Sequence, residues 1–583
     1  MNAVTPISAA VPELRPIPAV QRAYFYLVSL VAIHMVVLAV ANLLRVGAEM
    51  AMNAPSGGFT GLPFVFNEFS RPSNQYREQA SLAIALLVVG LPAWLIHFSV
   101  AQRAAGRAIE ERASSMRSFY LHLVVVVTAL LVFGYGQRAL RLVLQGNYIG
   151  ETSTFGPGAF GLEAHWQARA AGAAAMALTS AAVLAFHLWL SNQDRRIAIG
   201  TTAAQLRHLG MYLLLLVGLA WVTFTTVSTL TGIWDYVADA IAPLSGPVGR
   251  FNPPPGVVIP PQPSRDDYLR FQLIGAVPAI LAGLALWLGT WIPLQRGLRS
   301  ATADGEVERR STIRKLAIYL VVFISAVQVL FGATIGLSQI VERALGTPER
   351  EQYRNLTHDL GGPIITLVVF GAVWLFHRRV VHAEAARETE VERAATIRRV
   401  YTYLIAAIGL GMLAFGTAGA IGVLGSQVIG TNTHGNGETA GYISLVLVGS
   451  TAWAFNWWQA QRRLDDDERR SLPRRAYLYL AILGGVLGVL VFGSAGLYRV
   501  LNAALAASFP LATWHDIWHF AVDAAVSAGA FLYHLRVVRA DRAAQLPTVP
   551  QQAVTVLVRA VDVAAARARL AAALEGQADI TIR

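Results

Sequence analysis

The chain has 583 residues, 55% of them hydrophobic and only 14% charged, with a mean hydropathy of +0.48. Soluble domains carry about 25% charged residues, so composition excludes an ordinary soluble fold, and repeated apolar runs of about 20 residues read as a polytopic membrane protein. The net charge of +12 lies in arginines beside those runs, where it orients helices and meets anionic lipid rather than nucleic acid. The absence of cysteine removes disulfides, thiolate metal sites, iron–sulfur clusters and cysteine nucleophiles. A single lysine, Lys315, argues against Schiff-base chemistry.

Residues 1–20 hold four prolines and no continuous apolar core, and read as a loose cytoplasmic tail, not a cleaved signal peptide. Twelve membrane helices are then expected, as six hairpins. The first half gives 24–44 with 80–100, 118–138 with 170–190, and 209–232 with 272–292. The second half gives 314–340 with 361–379, 401–424 with 439–460, and 477–499 with 517–538. The links after the even helices gather the positive charge, as at Arg103–Arg117 and Arg462–Arg475, which places them and both termini in the cytoplasm.

Stacking the hairpins shows internal repetition. Arg314–Tyr319, Arg398–Tyr403 and Arg474–Tyr479 open odd helices with an aromatic five residues after an arginine, and Arg207–Tyr212 is close behind. Even helices close on pairs such as Trp94–His97, Leu184–His187, Trp287–Thr290, Trp374–His377, Trp453–Asn456 and Phe531–His534. All six hairpins run the same way, so they are parallel repeats about an axis along the membrane normal, not inverted ones. The chain divides into hairpin pairs over 21–200, 201–385 and 386–542. Beyond them, 543–583 reads as a small cytoplasmic β-α-β segment, with strands at 554–561 and 578–583 around a helix at 563–576.

The segments RAYFYLVSLVAIHMVVLAVANLLR (22–45) and RRAYLYLAILGGVLGVLVFGSAGLYRVL (474–501) resemble the opening helices of a bacterial membrane-protein family known as a domain of unknown function and built from paired helical hairpins. The resemblance spans about residues 21–540, as three modules in tandem. It implies a bacterial inner-membrane location and the architecture, and brings no activity or catalytic residues with it.

Two layers carry candidate chemistry. At the inner ends lie His97, His187, His377 and His534 with Tyr26, Tyr212, Tyr319, Tyr403 and Tyr479. Facing histidines ligate haem or relay protons, and they equally serve as hydrogen-bonding ties favoured by the helix dipole. At the outer ends, Asp359, Asp516 and Glu438 suit helix N-termini, with Thr513 and Asp516 at capping-box spacing. The last hairpin adds His515, His519 and Asp523 at i, i+4 and i+8 on one helix face. Together with His434 and Glu438 they form a candidate metal or proton site, the alternative being a buried pair such as Asp523–Arg499. Arg45, Arg141, Arg343 and Arg499 are expected to snorkel toward headgroups.

No catalytic set is visible and no cofactor is strongly implied. The leading reading is a non-catalytic scaffold or accessory subunit. Its expected partners are membrane lipids and a protein bound through outer loops 50–79 and 234–270 or through the C-terminal tail. The alternatives are a transporter or channel with a polar site near Asp523, and a redox or pigment-binding protein using the inner histidines.

Overall fold

The computed structural model describes residues 18–56, 76–148, 165–195, 197, 202–242, 265–299, 311–347, 355–385, 392–431, 435–462, 464–544 and 562–573. Among the described residues there are helices and short turns and no strand. The first long helices are α1 (Ala19–Ala51), α2 (Tyr76–Arg107), α4 (Ser115–Tyr148), α5 (Trp166–Asp194), α6 (Thr202–Ile241) and α7 (Arg265–Arg299). They are followed by α8 (Thr312–Ala344), α9 (Leu356–Ala385), α10 (Glu392–Ile429), α11 (Asn436–Arg462), α13 (Leu472–Leu505) and α14 (Leu511–Ala543). Short helices α3 (Ile109–Arg112) and α12 (Asp466–Arg470) precede α4 and α13, and α15 (Val563–Ala573) lies in the C-terminal segment.

Among the described residues eleven helices are long and apolar enough to cross a membrane, so the chain is a multi-pass membrane protein, helical throughout its described elements. The expected count of twelve is reduced by one on this measure, because α11 falls short. Its Glu438, Ser444, Ser450, Thr451 and Asn456 dilute the apolar run. The expected strands at 554–561 and 578–583 lie outside the described residues. The helix expected between them is present as α15, where Asp562 Oδ1 accepts from the backbone N–H groups of Ala564 and Ala565 at 3.0 and 3.1 Å.

Helix ends follow local chemistry. The helices α1, α8, α10 and α13 stop at a residue with positive φ: Asn53 (49°), Gly346 (85°), Gly430 (81°) and Ala507 (48°). Behind each, the next N–H reaches back five residues, as in Thr431 to Ser426 (2.9 Å) and Ser508 to Ala503 (3.0 Å). The preceding N–H reaches back three, as in Gly430 to Gln427 at 3.2 Å. That pair of bonds satisfies orphan carbonyls and turns the chain sharply.

Successive long helices pack along one another as α1/α2, α4/α5, α6/α7, α8/α9, α10/α11 and α13/α14. The pairs stand in a row with one docking mode: the first helix of a pair lies on the second helix of the next. This gives α1 on α5, α4 on α7, α6 on α9, α8 on α11 and α10 on α14. Inside several pairs the backbones touch, as at Gly485 in α13/α14, where a methyl group would sit 2.8 Å from the Ser527 carbonyl oxygen. A methyl group at Gly218 would sit 2.6 Å from the backbone nitrogen of Trp287, and one at Gly409 would sit 2.5 Å from that of Trp453. Their opposite numbers Gly283 and Gly449 face the same crossings. In lipid, where water does not drive helices together, such close backbone approach is a main source of packing energy.

A candidate functional site in a repeated polar network

A polar network recurs three times along the row, in the quartets α1/α2 with α4/α5, α6/α7 with α8/α9, and α10/α11 with α13/α14. In each, an arginine near the start of the third long helix turns inward: Arg117, Arg314 and Arg474 are 3%, 0% and 0% exposed. Ser114 and Ser311 start their helices by accepting from the arginine's own backbone N–H, at 3.3 and 3.4 Å. The three guanidinium groups donate to Tyr26 (3.4 Å), Tyr212 (3.1 Å) and Tyr403 (3.3 Å) on the first helix of their quartets. Arg117 also pairs with Asp194 at 2.6 Å, and Arg474 with Asp541 at 2.7 Å, seven residues beyond the helix histidine in both cases. A desolvated guanidinium is tolerated only with such partners.

A second layer of acids closes the helix ends beside these arginines. Arg22 holds Glu111 of α3 at 2.8 Å, and Arg399 holds Glu468 of α12 at 2.6 Å. Tyr403 donates to the other Glu468 oxygen at 2.6 Å. The short helices therefore clip onto the start of each of these two quartets.

Beside the arginine runs a relay through three helices. Trp94 Nε1 donates to Tyr120 OH (3.4 Å), whose oxygen lies 3.0 Å from His187 Nε2. His187 Nδ1 lies 2.8 Å from the Val183 carbonyl, which fixes the proton on Nδ1 and leaves Nε2 to accept from the tyrosine. The third quartet repeats it with Trp453 to Tyr477 (2.9 Å), Tyr477 to His534 (3.0 Å) and His534 to the Ala530 carbonyl (2.7 Å). The phenols stack on the arginine-bound tyrosines, with ring centres 5.4 Å apart for Tyr26–Tyr120 and 5.5 Å for Tyr403–Tyr477.

The histidines of the inner layer that form these bonds do so through tyrosines other than those read from the sequence. His97 bonds Tyr24 (3.1 Å), not Tyr26, and His534 bonds Tyr477, not Tyr479. Two residues along a helix is a turn of about 200°, so the neighbouring tyrosine points the other way. Tyr479 instead accepts from Arg542 (2.8 Å), and Tyr319 faces the ring of Tyr401 at 6.0 Å. Iron ligation at His97, His187 or His534 would have to break an existing Tyr–His bond. The signal for Tyr120 and Tyr477 is their register, three residues after the inward arginines Arg117 and Arg474.

Of the outer candidates, His515 and His519 stand side by side. His519 Nε2 lies 2.9 Å from Ser426 Oγ, its ring 4.5 Å from that of His515. Glu438 accepts from Tyr442 (2.9 Å), and Asp523 acts electrostatically on the same Tyr442, with no hydrogen bond or ion pair of its own among the described residues. Among the described residues no three His, Asp or Glu side chains gather as a metal-ligand group; His434 lies outside them. Arg499 pairs with Asp516 (3.1 Å) rather than Asp523, and Arg343 approaches Asp359 at 3.8 Å. Arg45 is 4% exposed and holds Glu49 at 2.7 Å. These three arginines pair with acids, in place of the expected snorkelling. The Thr513–Asp516 capping box is also corrected: α14 begins at Leu511 behind Pro510, with no side-chain cap, so Asp516 lies beyond the first turn. Asp359 and Glu438 do occupy first turns.

A crevice of about 450 Å³ opens between α4, α5, α6 and α7. Its walls include Val126, Phe133, Leu184 and Met211, and Arg195 and Arg207 also line it. Residues 57–75 and 243–264, the core of the expected protein-docking segments, lie outside the described residues.

A family model described as a domain of unknown function (DUF5671) matches residues 22–155, 256–368 and 399–530. No curated protein and no solved structure matches the chain.

Proposed function

The chain belongs to the DUF5671 family, and from that premise we propose that it is a non-catalytic membrane scaffold or accessory subunit. In this reading α11 crosses as the twelfth span, carried by its packing against α10 and α8 rather than by its own hydropathy. The six hairpins are then parallel, with the arginine-rich links and both termini on the cytoplasmic side. The observation that carries the reading is the polar network: its arginines, tyrosines and acids, and in the first and third quartets its histidines, bond one another across helices. Such a network holds a row of hairpins in fixed order, which is what a platform for another protein requires. Lipid acyl chains suit the α4–α7 crevice, with Arg195 and Arg207 facing an anionic headgroup. A protein partner would dock through loops 50–79 and 234–270 or the C-terminal segment.

The test is a mass-spectrometric inventory of protein, lipid, metal and pigment in the complex released gently from native membranes. A stoichiometric protein partner is the expected result. A stoichiometric metal, haem or other small-molecule cargo with no protein partner would overturn the reading.

One observation favours a second reading, a transporter or channel: Asp523 lies in the middle of α14 without a hydrogen bond or ion pair among the described residues. Membrane-embedded carboxylates usually mark a solvent or ion path. Asp523→Asn would then abolish proton- or cation-linked flux in proteoliposomes while the protein assembles normally. In a scaffold the same variant leaves partner capture intact and reveals no flux to lose.

A further inference from the structure

The seam between α6 and α9 closes at one end on a histidine held between two oxygens. Asn355, just ahead of α9, accepts through Oδ1 from the backbone N–H of His358 at 3.1 Å, and its Nδ2 donates to the Ala242 carbonyl at 3.0 Å. Those two bonds fix the amide, with its oxygen toward α9 and its nitrogen toward the end of α6. The His358 ring then has Nδ1 2.7 Å from Asn355 Oδ1 and Nε2 2.8 Å from Asp239 Oδ1 on α6. The His358 and Asp239 side chains are only 9% and 15% exposed. A neutral imidazole has a single N–H, so it satisfies one of these oxygens and aims a lone pair at the other. Both bonds form only when the His358–Asp239 pair holds one proton more. Trp234 completes the seam: its ring covers Gly361, and its Nε1 donates to the Thr357 carbonyl at 2.7 Å. Around this point α9 packs against α6 and α8. The neighbouring charges are Asp235, one turn before Asp239 on α6, Asp359 beside His358, and Arg343 of α8, which approaches Asp359 at 3.8 Å. Glu342 of α8 lies instead against Gly437 of α11.

We propose that His358 and Asp239 form a proton-dependent latch on the α6/α9 seam, closed while the pair holds its extra proton and loosened when that proton leaves. Deprotonation replaces a charge-assisted hydrogen bond by a lone pair facing a carboxylate oxygen, in a place largely shielded from water. Histidine exchanges its proton in the physiological range, so the seam responds to acidification at this end of the helices. The Trp234–Thr357 and Asn355–Ala242 bonds need no extra proton. The seam therefore loosens on deprotonation and does not come apart.

The experiment uses the full chain in lipid nanodiscs. The chain has no cysteine, so Val237→Cys and Ile364→Cys, both at exposed positions on the two helices of the seam, carry a pair of spin labels. Pulsed electron resonance reads the distance between the labels at about pH 5 and about pH 8, the two sides of the histidine range. One narrow distance is expected at the lower pH. A longer, broader population is expected at the higher pH, its share rising about tenfold, the equivalent of one charge-assisted hydrogen bond. Asp239→Asn separates the proton from the contact, because its carboxamide N–H donates to Nε2 of a neutral imidazole. That variant keeps the narrow distance at both pH values. His358→Phe removes both bonds and shows the broad population at both; should it fail to fold, the wild type and Asp239→Asn decide the matter alone. The same distance distribution in the wild type at both pH values, or a pH response that survives in Asp239→Asn, overturns the proposal.

Discussion

The second and third quartets contain the same inward arginine donating to the same kind of partner, Arg314 to Tyr212 and Arg474 to Tyr403, at 3.1 and 3.3 Å. They part at the next step. In the third quartet a phenol links a tryptophan to a histidine across three helices, whereas in the second the corresponding side chain is a methyl group. The difference separates two jobs that the first quartet performs together. The arginine anchor neutralises a charge and belongs to assembly. The relay carries no net charge, so one quartet lacks it without an uncompensated ion being left inside.

That division is broken most severely at the anchor. Arg474→Met leaves Asp541 buried without its partner and should destabilise the third quartet by about 3–5 kcal/mol. Arg474→Met combined with Asp541→Leu should recover most of the loss, and denaturant unfolding in nanodiscs measures both. A smaller effect is expected in the relay. Tyr477→Phe keeps the stack on Tyr403 but strands the indole and imidazole, at about 2 kcal/mol, which makes the third quartet resemble the second. A loss below about 0.5 kcal/mol would mean the hydroxyl links nothing that matters for stability. The sharpest comparison is also the smallest. Trp453→Phe removes a 2.9 Å hydrogen bond, whereas Trp287→Phe removes an N–H that has no partner among the described residues. The first should cost about 1 kcal/mol more than the second, and equal losses would show that ring packing alone decides.

Much of the fold is legible in the sequence because a bilayer makes strong demands. The apolar runs mark the long helices, each extended by polar turns at its ends, and the even-helix histidines are visible in the repeat register. The partners are not legible. Arg117 meets a tyrosine 91 residues away, and Arg314 one 102 residues away, distances over which no periodicity speaks. The local spacing of arginine and tyrosine by five residues points to Tyr319 and Tyr479, which face elsewhere. The column three residues after the arginine, reading Tyr120, Ala317 and Tyr477, holds the informative contrast. Thr513 and Asp516 imitate a capping box, but the helix begins earlier, at Leu511 behind Pro510, and has no side-chain cap.

The glycine crossings constrain how such a row can change shape. At Gly409 and Gly449 the two backbones of the α10/α11 pair meet with no room for a methyl group. Sliding either helix by one residue would drive the side chain of Leu410 or Val448 toward that contact, so shear within the pair is blocked. The same holds at Gly218 and Gly283 in α6/α7. Between pairs the glycines meet side chains most closely, as Gly172 meets Arg45 and Gly422 meets His519, and side chains have alternative rotamers. Any large motion of the molecule is therefore a folding of rigid leaves about the seams between them, like a screen whose panels keep their shape while the angles between panels vary.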